Sequence, residues 1–245
     1  MSQAQAALSQ AELTRLEILV SFIEQGSGGP AEPDALDRAE ATLGRPFPPQ
    51  LRAWLESVDG AVLSTGNLFF SPVWGSGDAD GEVTAPATQT AALRASGWTL
   101  PPELVLFASD GSDQMFGIWM PLEGDDPNVV VALDLAPDAA SRSFWIVGES
   151  LLAFLTGWTT AYAHLHHGAV YELLQTPPAL QQPVQEQVLV DSAGHNVADE
   201  DEALFSRVLA FASPTLPAVA WPGDEEQALT ADELAPTIAA LPRRH

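Results

Sequence analysis

Between Leu104 and Val147 four short apolar runs follow one another: Leu104-Val105-Leu106-Phe107, Met115 to Met120, Val129 to Leu133 and Phe144 to Val147. Each is rich in β-branched and aromatic residues and too short to make an independent helix, which is the signature of a buried strand. Asp110-Gly111, Gly124-Asp125-Asp126-Pro127 and Pro137-Asp138 lie between them, and these residue types turn a chain. Parallel neighbours need a long crossover, so connections this short predict an antiparallel sheet. Leu68-Phe69-Phe70 and Val73-Trp74 have the same aromatic and β-branched character, so the sheet is expected to begin near Asn67.

The flanks carry a helical period. Ser9-Gln10-Ala11-Glu12 is a capping-box pattern, and Leu13, Leu16, Val20 and Ile23 follow at the spacing of one helix face. Gly26 to Pro30 stops that helix. Pro33-Asp34 restarts one with Leu36, Ala39 and Leu43 inward and Gly44 at its end. Pro46-Phe47-Pro48-Pro49 then opens a third helix that points Leu51, Trp54, Leu55 and Val58 inward and closes at Asp59-Gly60. Alanine and Leu93 between Ala85 and Ser96 have helical spacing as well. Glu149 to Tyr162 reads as a helix with Leu151, Leu152, Phe154, Leu155 and Trp158 as its core face. Beyond Gly168 prolines and Asp199-Glu200-Asp201-Glu202 punctuate the chain. One helix around Leu204 to Phe211 and another from Leu229 to Leu241, interrupted at Pro236, are expected there. The reading is an N-terminal helix at residues 1–30, an α+β domain with a mostly antiparallel sheet flanked by helices at residues 31–167, and a partly helical C-terminal extension at residues 168–245.

Charge narrows the function classes. Against 33 acidic residues stand 9 basic ones, every one an arginine, for a formal net charge of −24. Such a surface repels phosphates, and no basic stripe for nucleic acid is present. A basic protein partner would instead be attracted and steered. There is no cysteine, so disulfides, thiolate metal sites and thiol nucleophiles are excluded. The opening MSQAQAALSQ lacks the charged and apolar regions of a signal peptide, and the longest uncharged run, Ser150 to Tyr171, is broken by threonine, glycine and histidine. No membrane association is expected, and a cytoplasmic location is.

Several stretches, in this order, resemble the SUKH superfamily, which includes fungal cell-wall assembly regulators and bacterial immunity proteins. They are Ala39-Glu40-Ala41-Thr42-Leu43-Gly44-Arg45-Pro46-Phe47-Pro48-Pro49-Gln50-Leu51-Arg52-Ala53-Trp54-Leu55, closed by Asp59-Gly60 where the family usually has Asn-Gly; Leu106 to Asp113, similar to a strand and its following turn; Val129 to Asp134; and Ser150 to Leu155, similar to a closing helix. The resemblance covers about Asp34 to Thr159, and Asp113 stands where a glycine is often found. It implies the α+β fold above and a module that binds a protein rather than one that performs chemistry.

The residues offer few catalytic alternatives. Gly75 to Glu82 alternates acids before a glycine, as a calcium loop does. With Ser76 as the first ligand, however, the closing glutamate would fall on Ala87. His164 and His167 could share a helix face, but a helix end before Gly168 accounts for them equally well. Ser109, Ser112 and Ser150 lie in no G-x-S-x-G elbow, and there is no phosphate-binding glycine loop and no H-E-x-x-H. No catalytic residue, metal or cofactor is therefore expected. The expected partner-binding residues are the acidic turns Asp78, Asp80, Glu82, Asp110, Asp113, Glu123, Asp125 and Asp126, gathered on one face, with Trp74 and Trp98 as anchors beside glycine or proline. The expected function is a non-enzymatic immunity protein whose acidic face occludes a basic toxin. The alternatives are a regulatory scaffold, and an enzyme or ligand-binding domain with a pocket at one end of the sheet.

Overall fold

The computed structural model describes residues 8–20, 23, 29–63, 68–73, 90, 93–111, 114–121, 128–135, 144–166 and 228–241. Helices α1 (Gln10–Val20), α2 (Pro33–Leu43) and α3 (Pro49–Ser57) come first. Strands β1 (Val62–Leu63), β2 (Leu68–Phe70), β3 (Leu104–Ser109), β4 (Gln114–Trp119), β5 (Val130–Asp134) and β6 (Phe144–Gly148) follow. Helix α4 (Leu151–His166) and, near the C-terminus, α5 (Ala231–Ala239) complete the order. The six strands form one sheet in sequence order, and every neighbouring pair is antiparallel. The α+β class and the antiparallel sheet are those predicted. Strand β1 is an addition, too short to register as a pattern.

The predicted caps form. Ser9 Oγ accepts from the Glu12 N–H at 3.3 Å, and Glu12 Oε2 accepts from the Ser9 N–H at 2.8 Å. Gly44 closes α2 in the left-handed region at φ 72°. Leu16 and Leu19 of α1 are buried, while Leu13, expected on the same face, is 37% exposed. The inward stripe is rotated toward Leu19 because α1 packs along α4. Gln50, on α3, joins three helix starts: its amide N–H donates to Glu12 at 2.8 Å and its carbonyl accepts from the Leu152 N–H at 3.0 Å.

The sheet is buried on both faces, so its strands are nearly continuous apolar runs. On the helix side Trp54, Phe70, Phe107, Phe154, Phe116 and Trp158 form a continuous series of ring contacts with centroids 4.7–6.5 Å apart. Opposite it, Gly117 admits the close approach of Leu104 and Leu106. A Cβ there would lie 2.7 Å from Leu104 Cδ1. A bulge between Leu106 and Ala108 resets the alternation of β3. Ala108 consequently pairs with both Phe116 and Phe70, and Ser109 with Met115 and Phe69.

Both free edges are met by segments from outside the meander. Ile23 bridges Leu63 on the β1 edge, and Leu229 bridges Phe144 on the β6 edge. Exposed edges invite foreign strands, and this arrangement covers them at those residues. Beyond Leu229, α5 begins with a full capping box, Thr230 with Glu233, and runs through Pro236 without the predicted interruption. Proline costs a helix interior about 3 kcal/mol. Burial of Leu234 and Ile238, one on each side of it, contributes about 1.5–3 kcal/mol each and offsets that cost. Leu16 and Leu19, Leu234 and Ile238 all belong to the same hydrophobic cluster as the sheet. The helix expected near Leu204 lies outside the described residues.

Because α5 shares this core, truncating it should act as a core mutation. Leu234→Ala or Ile238→Ala is expected to cost about 2–5 kcal/mol in urea denaturation. Leu13→Ala should change stability by no more than about 0.5 kcal/mol.

Candidate functional site

Four of the described arginines have side chains bonded to other groups of the fold. Arg52 holds Asp37 at 3.3 Å, Glu40 at 2.8 Å and Glu56 at 3.0 Å. Its hydrogen bond to Glu40, above all, raises its pKa further. Glu40 also accepts from the Phe47 N–H at 2.9 Å, so the acidic helix of the SUKH-like stretch acts as a clamp between α2, the proline step and α3. Arg45 donates to the carbonyls of Met120 and Pro102, the latter at 2.7 Å. Arg94 donates to the carbonyls of Pro101 and Leu104 at 2.6 and 3.2 Å. With Thr90, whose hydroxyl accepts from the Leu106 N–H at 3.1 Å, Arg94 satisfies the part of β3 that extends past short β2. Arg15 reaches Thr156 at 3.3 Å. Desolvation by burial lowers the pKa of Arg15, Arg45 and Arg94.

Asp59 is the junction of the helical layer with the sheet. Its carboxylate accepts from the Val73 N–H at 2.5 Å, and its own N–H donates to the Gly29 carbonyl at 2.6 Å. Gly60, at φ 66°, follows directly, and a Cβ there would lie 2.9 Å from Pro72. Burial raises the pKa of Asp59, while the Val73 hydrogen bond opposes that shift.

At the end of the sheet where β3 turns into β4, the Asp110 N–H donates to the Gln114 carbonyl at 3.2 Å and Gly111 takes φ 80°. A Cβ on Gly111 would lie 2.7 Å from the Phe69 ring, so that glycine seats an aromatic side chain that is itself 40% exposed. Asp134 pairs with Gln114 and ends β5 at this same end of the sheet. Trp98 is half-buried against the core, and its segment is tied to the other end of β3, since the Trp98 N–H donates to Leu93 and Arg94 bonds Leu104. Asp110 and Trp98 are therefore attached at opposite ends of a strand about 17 Å long.

Asp78, Asp80, Glu82, Asp113, Glu123, Asp125, Asp126 and Trp74 lie outside the described residues. Sequence reasoning assigned Phe69 to the core. The run Leu68-Phe69-Phe70 is apolar throughout and carries no signal that Phe69 is exposed; its buried–exposed–buried pattern is set by the sheet.

Among the described residues no group of three or more His, Asp or Glu is placed to hold a metal, and no helix is long and apolar enough to cross a membrane. Ser150 spends its hydroxyl as a cap, accepting from the Ala153 N–H at 3.2 Å. His164 and His166 lie in the last turns of α4, and His167 lies outside the described residues.

A family model described as SMI1 / KNR4 family (SUKH-1) matches residues 30–156. No curated protein matches. Among solved structures, the crystal structure of an uncharacterized protein from Salmonella enterica subsp. enterica serovar typhimurium str. 14028s is similar at 18% identity. The match covers 76% of this chain and 92% of that one, with a TM-score of 0.42.

Asp59 gives a signed pH prediction. A carboxyl whose folded pKa is raised stabilises the fold most below its unfolded pKa, and that contribution is lost as pH rises through the folded value. Asp59→Asn keeps an acceptor for the Val73 N–H and removes the charge. Its stability relative to the native chain should therefore improve as pH rises across that window, read by urea denaturation at a series of pH values. Asp59→Ala, which strands the Val73 N–H, should lose about 1–3 kcal/mol.

Proposed function

This chain belongs to the SMI1 / KNR4 family (SUKH-1), and from that premise we propose that it is a non-enzymatic protein-binding module, acting in the cytoplasm as an immunity protein that neutralises a basic toxin. The family is generally non-catalytic and its membership is consistent with immunity or regulatory roles. The observation that carries the reading is electrostatic. The chain bears a net charge of −24, and Arg15, Arg45, Arg52 and Arg94 are each bonded within the fold, to a hydroxyl, to carbonyls or to carboxylates. The acidic excess of the chain then draws a cationic active site, which the bound module covers. No bond is made or broken. The competing reading, a regulatory scaffold, uses the same surface for a partner that is not a toxin.

The test is co-expression with the polypeptide encoded beside this gene. Growth rescue and a purified stoichiometric complex are expected, and a toxic neighbour that this chain neither binds nor suppresses would sink the proposal. Steering predicts that the association rate constant falls by roughly tenfold or more between low salt and about 0.5 M, with a smaller change in dissociation.

A further inference from the structure

We infer that residues 228–241 are an intramolecular guard: they hold the β6 edge and keep β6 of one copy from pairing with β6 of a second copy of this chain. β6 is the last strand of the sheet, and Phe144-Trp145-Ile146-Val147-Gly148 contains no charged residue and no proline. Those are the devices by which an edge strand ordinarily blocks a foreign strand, so β6 has no defence of its own. The defence comes from the C-terminal segment. The Leu229 N–H donates to the Phe144 carbonyl at 2.8 Å, and the Phe144 N–H donates to the Leu229 carbonyl at 3.2 Å. Both outward main-chain groups of Phe144 are thereby occupied.

An added strand would ordinarily move the open edge outward by one strand. Here it does not, because Thr230 follows Leu229 directly and caps α5. The Thr230 hydroxyl accepts from the Glu233 N–H at 3.3 Å, while the Glu233 carboxylate accepts from the Thr230 N–H at 2.9 Å. The chain meets the edge in one bridge and leaves as a helix, which offers no ladder. Ala228, Leu234 and Ile238 are buried in the cluster that includes β6 and fix the segment there. Isolated helices shorter than about 12 residues are marginal in water, and α5 has nine with Pro236 among them. Its hold on the edge therefore depends on those buried contacts. The segment also lies outside residues 30–156, so the guard is an addition to the part that the family model matches. The occupant it excludes is a second copy, because an antiparallel pair of identical strands is closed by a two-fold axis and satisfies both copies alike. Two chains of charge −24 repel, so this pairing strengthens as salt rises. A complex with a basic partner weakens with salt, and the opposite signs keep this inference separately testable from the toxin-binding reading.

The experiment is sedimentation velocity on the full chain at about 0.05 and 0.5 M salt, with thermal melts confirming that each variant is folded. Leu229→Pro combined with Leu234→Asp removes the Leu229 N–H and expels α5 from the core. This released variant should sediment as a dimer at concentrations where the native chain does not, and more completely at the higher salt. Adding Phe144→Pro deletes the outward N–H at the first residue of the strand, where proline is tolerated, and should restore the native mass. If the released variant is folded and associates no more than the native chain at either salt, the guard is overturned. Association that survives Phe144→Pro places the interface away from β6 and overturns it too. Should the double variant not fold, Leu229→Pro alone, which leaves Leu234 and Ile238 in place, decides by the same comparison.

Discussion

The series of rings from Trp54 through Phe70, Phe107, Phe154 and Phe116 to Trp158 joins α3, β2, β3, α4 and β4 in one contact path. Each ring contributes its buried area and, in tilted or edge-on pairs, a further fraction of a kilocalorie to about 1.5 kcal/mol. Everything on the sheet's periphery, including the Phe69 platform, takes its position from strands held by this packing.

A chain with so many carboxylates must limit its self-repulsion, and Arg52 serves that task while Arg45 and Arg94 satisfy main-chain carbonyls. Arg52 ties three acids together, while Arg45 and Arg94 fasten the strand ends at which β3 begins and β4 finishes. Because arginine stays charged when partly buried, it suits these positions better than lysine, which would lose its proton more readily.

Much of the architecture was legible in local chemistry. The capping box at Ser9, the glycine cap at Gly44, the proline step before α3 and four apolar runs with short turns each encode their own conformation within a few residues. The failures have equally specific causes. Leu13 faces solvent because the rotation of α1 is set by α4, some 140 residues away. Pro236 fails to stop α5 because burial of Leu234 and Ile238 outweighs a local rule. Of the expected contact residues, Asp110 and Trp98 are described, and the others lie outside the described residues.

By itself the sequence determined the element types, the antiparallel sheet, the absence of thiol chemistry and the acidic balance, since these depend on residue type, short-range spacing and a sum of charges. The tertiary structure alone decided which surface the FASDGSD turn offers. A bulge at Phe107 resets the strand so that Ser109 lies with Phe69, and Gly111 then supplies the space that the aromatic ring occupies. That contact joins residues some forty positions apart through strand register, and register is settled by the packing of the whole sheet.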